Sequence, residues 1–177
     1  ANTKVKIKKH SLRGDNRFVQ MAICHFSESG EISYPEQYAY DEADLLYASD
    51  TRGETPFFPS VNGKTFKTLQ IPSTLPTLDE LIGRPEYPSE RLIPHYLSLL
   101  KPGKLNVLTI HAEVEGMKQL DWFREVLIQL VKQDNIEFVR LDNVARDLLK
   151  TPGAIAVNEM VQGTIDGRSG TLAKQQA

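Results

Sequence analysis

Cysteine is nearly absent from these 177 residues: Cys24 stands alone. No disulfide can close within the chain, and no cysteine-based zinc site can be built. Long apolar runs are missing as well. None approaches the roughly 18 residues that a membrane span requires. The opening residues do not combine a basic flank, an apolar stretch and a small-residue cleavage site. No secretory leader is therefore expected, and a reducing, cytoplasmic setting is. Extremes of composition are also lacking. Apolar residues make up 40% and charged residues 25%, which excludes wholesale disorder. The length is close to the roughly 150 residues of an average domain, enough to bury a core without disulfides.

The net charge of -2 conceals an asymmetry. Six basic side chains (Lys4, Lys6, Lys8, Lys9, Arg13, Arg17) face one acid, Asp15, within residues 1–17. The stretch from Glu28 to Asp44 holds six acids and no base. A basic arm can bind nucleic acid or an anionic membrane surface. The arm has no interleaved aromatics, and no organised basic patch follows it, so nucleic acid is not an expected partner and a solvated segment is the plainer reading.

Val5 and Ile7 alternate with lysines and suggest an edge strand; Phe18 to Phe26 is apolar enough for a buried one. Tyr38 to Asp44 suggests a short helix. Strands are then expected near 45–49, 68–71, 105–110 and 136–140, with helices near 78–82, 92–100, 119–133 and 143–150. Asn62-Gly63 signals a hairpin. Thr77 to Glu80 matches a capping box with Gly83 as the stop. Pro94 is expected in the first turn of its helix. Leu120, Phe123, Leu127, Leu130 and Val131 share one helical face. The segment 153–177, with Gly163, Gly167 and Gly170, reads as an extended polar tail. Alternating strands and helices from 45 to 150 argue an α/β fold with parallel strands. A full barrel takes about 250 residues, so the chain has room for about half of one. Uncovered apolar surface, or a covering partner or self-association, is expected at its open side.

No G-x-G-x-x-G, P-loop or G-x-S-x-G occurs, which leaves nucleotide binding and serine-hydrolase chemistry without support. The four histidines, His10, His25, His95 and His111, show no local metal-binding spacing. His111 directly follows the apolar run LNVLTI, and Asp50 follows LLYAS. Catalytic groups of parallel α/β folds gather at the carboxyl ends of strands. His111 and Asp50 are therefore candidates for one pocket, the imidazole moving a proton and the carboxylate orienting it. Polar residues at strand ends also simply cap loops. Glu113 and Glu115 follow His111, either as acid/base or metal groups or as a solvated loop.

Residues 47–84 (YASDTRGETPFFPSVNGKTFKTLQIPSTLPTLDELIGR), TIHAEVEGM at 109–117 and VQGTIDGRSG at 161–170 together resemble one family. They are similar to the C-terminal half of the 4-deoxy-4-formamido-L-arabinose-phosphoundecaprenol deformylases, of the polysaccharide deacetylase (NodB-like) superfamily. The resemblance covers about residues 36–172. It implies a partial (β/α)7 deacetylase-type barrel over 36–152, preceded by a divergent segment 1–35 and followed by the tail.

The resemblance also implies a hydrolase of carbohydrate metabolism that removes a formyl group from an amino sugar on undecaprenyl phosphate. Such a step belongs to lipid A modification in lipopolysaccharide biosynthesis and to polymyxin resistance. It implies a divalent metal (zinc, cobalt or manganese) and peripheral contact with the cytoplasmic face of the inner membrane. Leu108 to His111 matches the family's L-x-x-H motif, so the resemblance makes His111 the general acid and Leu108 a lining of the acyl pocket. Asp50 falls on a position that helps hold the catalytic assembly. Arg52 and Glu113 are candidate substrate contacts, Arg52 for the phosphate. The family's metal ligands lie in an N-terminal half that has no counterpart here, and no ligand is identified. Two readings result: a metal-dependent deformylase, or a non-catalytic remnant or fragment without the metal-binding half.

Overall fold

The computed structural model describes residues 35–176. The expected strands at Val5 and Ile7 and at 18–26, and His10 and His25, lie outside the described residues.

The order of elements is α1 (Pro35–Glu42), β1 (Tyr47–Ala48), β2 (Phe57–Val61), β3 (Lys64–Thr65), β4 (Leu69–Gln70), α2 (Leu78–Leu81) and α3 (Ser89–Leu99). A π-turn (Val114–Lys118), α4 (Leu120–Val131), α5 (Leu141–Leu148), β5 (Ala156–Gly163) and β6 (Leu172–Gln175) follow. The strands form one sheet in the order β1-β4-β2-β5-β6, with β3 paired to β2. It is mixed rather than parallel. β1 with β4 and β2 with β5 run parallel, whereas β2 runs antiparallel to β3 and β4, and β5 to β6. The α/β class therefore holds in its coarse form.

Local chemistry explains most elements. Asn62 and Gly63 both adopt positive φ, at 50° and 77°, and join β2 to β3 in the two-residue turn that such a pair favours. Thr77 N–H donates to Glu80 Oε2 at 3.0 Å, closing the returning half of a capping box on α2. Gly83, at φ 81°, ends that helix. Pro94 corrects one expectation. The helix starts at Ser89, so the proline lies in its second turn rather than its first.

Two expected strands are not strands. Residues 105–110 belong to no strand or ladder among the described residues. Val107 O accepts the N–H groups of Thr74 and Leu75, both at 3.1 Å, and Val107 N–H donates to the Thr74 hydroxyl at 2.8 Å. The neighbouring stretch carries Pro72 and Pro76, which have no N–H to give, so a regular ladder cannot form there. Residues 136–140 also belong to no strand among the described residues, with Phe138 and Val139 exposed. Their β-forming composition needs a neighbour to satisfy its backbone groups, and no described strand lies beside them.

The segment from 153 onward is not a free tail. β5 pairs with β2 over four residues, and Met160 is buried against Phe57.

Two cores fill the molecule. Leu69, Ile71, Val107 and Ala145 pack with α5 and Tyr47. Leu78, Leu81, Leu92 and Tyr96 pack between α2 and α3, joined by Leu108 and Trp122. Val107 and Leu108 thus point to different cores from one segment. The expected exposed apolar surface is present: Met117, Ile128, Val131 and Phe138 all face solvent among the described residues.

Candidate functional site

α2 is the meeting point. It is only four residues long, yet its two adjacent acids face different partners. Glu80 is 1% exposed. Its Oε1 pairs with Arg52 Nη2 at 2.6 Å and lies 3.6 Å from Arg168 Nη1, while its Oε2 caps Thr77. A buried carboxylate needs such company, because stripping its water is otherwise costly. Arg52 also donates to Leu75 O. Burial pulls its guanidinium below the usual arginine range, and the Glu80 charge opposes that pull. Arg52, expected at the substrate phosphate, therefore has its guanidinium committed to α2 and to the chain entering it.

Asp79 faces the other way. Its Oδ1 lies 3.6 Å from His111 Nδ1, an ion-pair distance longer than a hydrogen bond. His111 itself is fixed through its backbone. His111 N–H donates to Glu115 Oε2 at 2.7 Å, and His111 O accepts the N–H groups of Val114 and Glu115 at 3.0 and 2.9 Å. Gln119 N–H then reaches back to Val114 O at 2.7 Å, the five-residue step of a π-turn. Such turns recur at functional sites. Tyr96 lies in the field of Glu115, Glu80 and Asp79; burial first, then these charges, push its phenol well above the ordinary tyrosine range.

Asp50 stands apart. It accepts a hydrogen bond from the Tyr40 hydroxyl of α1 at 2.6 Å, and its charge helps raise the Glu36 carboxyl, after burial, above the usual range. Among the described residues no hydrogen bond or ion pair joins Asp50 to His111; the carboxylate facing the imidazole is Asp79. Leu108 is half-buried against the α2–α3 core, and Glu113 is exposed just before the π-turn.

The β5–β6 loop closes over α2. Arg84 Nη2 meets Asp166 Oδ2 at 2.6 Å, and Gly167, at φ 84°, lies so close that a Cβ there would come within 2.1 Å of Glu80 O. Among the described residues no group of three His, Cys, Asp or Glu is arranged to hold a metal ion.

No family model matches the chain. Two curated proteins do show similarity to it. A protein of Shewanella sediminis, named as a probable 4-deoxy-4-formamido-L-arabinose-phosphoundecaprenol deformylase, is 39% identical over 130 residues. That match covers 73% of this chain and 40% of the relative. A protein of Wigglesworthia glossinidia brevipalpis with the same name is 32% identical over 181 residues, which cover 98% of this chain and 61% of the relative. The chain resembles the C-terminal half of these deformylases. It spans less than two thirds of the length of either relative.

The blocks that carry the deformylase resemblance are scattered in sequence and meet at α2. SDTRG brings Arg52; the block ending in TLDELIGR brings Asp79, Glu80 and Arg84; HAEVEG brings His111 and Glu115; TIDGRSG brings Asp166, Gly167 and Arg168. The sequence singled out His111, and Arg52 for a phosphate rather than for Glu80; it did not single out Asp79 as the imidazole's neighbour or Glu115 as the partner of the His111 N–H. Glu115 left a signal: a glutamate four residues after a turn-starting residue can reach back to that residue's N–H. Asp79 left none beyond its place in the first turn of a short helix.

Proposed function

We propose that this chain supplies the proton-donating side of a deformylase that acts on a formamido-arabinose carried on undecaprenyl phosphate. The observation that supports this reading is the meeting, at α2, of the blocks shared with the deformylases, with a half-buried histidine at the rim.

Hydrolysis of a formamide adds water to the formyl carbon, breaks the C–N bond, releases formate and leaves an amine. The departing nitrogen must gain a proton as the bond breaks. His111 is suited to give it. Its Nδ1 is turned inward and faces Asp79, which leaves Nε2 for the substrate. A carboxylate facing Nδ1 holds a proton there, so the proton given to the departing nitrogen is the one on Nε2. Arg52 serves the substrate indirectly, by holding α2 and therefore Asp79 in place. Leu108 borders the formyl group, Glu113 is placed to meet sugar hydroxyls, and Asp50 braces the α1 side through Tyr40.

The resemblance implies a divalent ion, zinc, cobalt or manganese, which polarises the carbonyl and activates water when bound. The described residues do not fit such an ion, and the roles above do not pass through it. Among the described residues no helix is long and apolar enough to cross a membrane. Contact with the lipid-linked substrate is proposed to be peripheral, at the inner membrane. Ile110, next to His111 in the chain, and Met117 of the π-turn are exposed and offer apolar contact. The basic residues of 1–17 would add about 1 kcal/mol each near an anionic leaflet. The pathway is then lipid A modification and, through it, polymyxin resistance.

The test is deformylase turnover on formamido-arabinosyl undecaprenyl phosphate with added zinc, cobalt or manganese. His111→Ala should lower kcat by about 10² to 10⁴-fold. Absence of turnover with every metal would favour the non-catalytic remnant.

A further inference from the structure

Among the described residues, Glu115 is a fully buried acid beside His111 that the proposed chemistry does not use. It is 0% exposed, and its Oε2 holds the His111 N–H at 2.7 Å. Its own N–H returns to His111 O at 2.9 Å. Backbone and side chain of one residue thus grip both peptide groups of the histidine. The arrangement is like a capping box with the glutamate one position further along, at the entry to the π-turn. Glu115 Oε1 is buried with no hydrogen-bond partner among the described residues. A fully buried acid is rare unless a specific contact retains it, and among the described residues the polar contact of this side chain is to His111.

The geometry points to Glu115 as the positioning residue of His111: it fixes the backbone at 111 so that the imidazole faces Asp79 across from α2. This rests on the reading of His111 as proton donor. The turn begins where the unladdered segment 105–110 ends, so no β-ladder holds residue 111 in place. Without the carboxylate, the His111 N–H loses its partner, and the 3.6 Å approach of Nδ1 to Asp79 loses its support. The reach of the side chain matters more than its charge. A glutamine has the length and an acceptor oxygen; an aspartate keeps the charge but falls one methylene short.

The test compares Glu115→Gln, Glu115→Asp and Glu115→Ala in the full chain by amide hydrogen exchange, with Leu92 and Val126 as internal references. Exchange at the His111 amide should rise about tenfold or more in the aspartate and alanine variants, with the reference amides unchanged, and stay near wild type in the glutamine variant. In the turnover assay the same two variants should lose kcat at unchanged KM, and glutamine should restore most of it. Wild-type exchange at His111 in Glu115→Ala, a uniform rise at every amide, or an aspartate variant that behaves better than glutamine would each overturn the assignment. If the wild type shows no turnover, the exchange measurement still decides the role of Glu115, and the failure falls on the proposed function alone.

Discussion

α2 and α4 are both helices, and the molecule treats them oppositely. α2 has four residues and buries three of them. It is held by a cap, by Arg52 from the sheet side and by Gly167 and Arg168 from the β5–β6 loop. α4 has twelve residues and buries only Val126, while Ile128 and Val131 face solvent together with Phe138 and Val139 beyond it. The difference shows where order comes from in this chain. The short helix is fixed by long-range polar contacts that converge on buried groups. The long one has the better periodicity and the weaker surroundings, since most helical stability in proteins comes from the packing of an apolar face.

The sharpest way to break the contrast is to remove one member of the buried pair. Arg52→Ala leaves Glu80 buried without its closest cation and should cost about 3–5 kcal/mol, read as a lowered midpoint in urea. Gly167→Ala should come next. It places a methyl against Glu80 O and forces a positive φ on alanine, and a loss of about 2–3 kcal/mol is expected by thermal denaturation.

A smaller effect lies at α1. The Glu36 carboxyl is raised by burial and then by Asp50, so the folded state holds its proton more tightly than the unfolded state does. Stability from this group is therefore present below the unfolded carboxylate pKa and lost as pH rises through the folded one. Glu36→Gln should flatten that slope in stability measured across the acidic carboxylate range. On the open side, Phe138→Ser should change stability by no more than about 0.5 kcal/mol, because the ring is already exposed. A loss of several times that size would show that something covers this face in solution.

The same contrast marks what was legible in the sequence. The positions of α2 to α5 follow from capping residues, glycine stops and 3.6-residue periodicity, and the β2–β3 hairpin follows from Asn62-Gly63. These signals are local. Segments 105–110 and 136–140 have strand composition but no ladder, since pairing depends on a neighbour that composition does not name. β5 erred in the other direction. Its residues AVNEMVQG are half polar, and only Met160 is buried, so a strand paired in the middle of the sheet order reads as a loop. At the site, His111 was legible as a polar residue ending an apolar run. The approach of its imidazole to Asp79 rather than Asp50 was not, because Asp79 reads only as a first-turn acid of a short helix, and its place beside His111 depends on how the chain folds around α2.

In the proposed role, His111 is held with Nδ1 facing Asp79, which leaves Nε2 for the substrate. The tautomer of the neutral imidazole reports this directly, through long-range nitrogen–proton correlation spectra of the full chain. A proton mainly on Nδ1 is expected, with Asp79→Ala shifting the population toward Nε2. A proton mainly on Nε2 in the wild type, unmoved by that substitution, would contradict it.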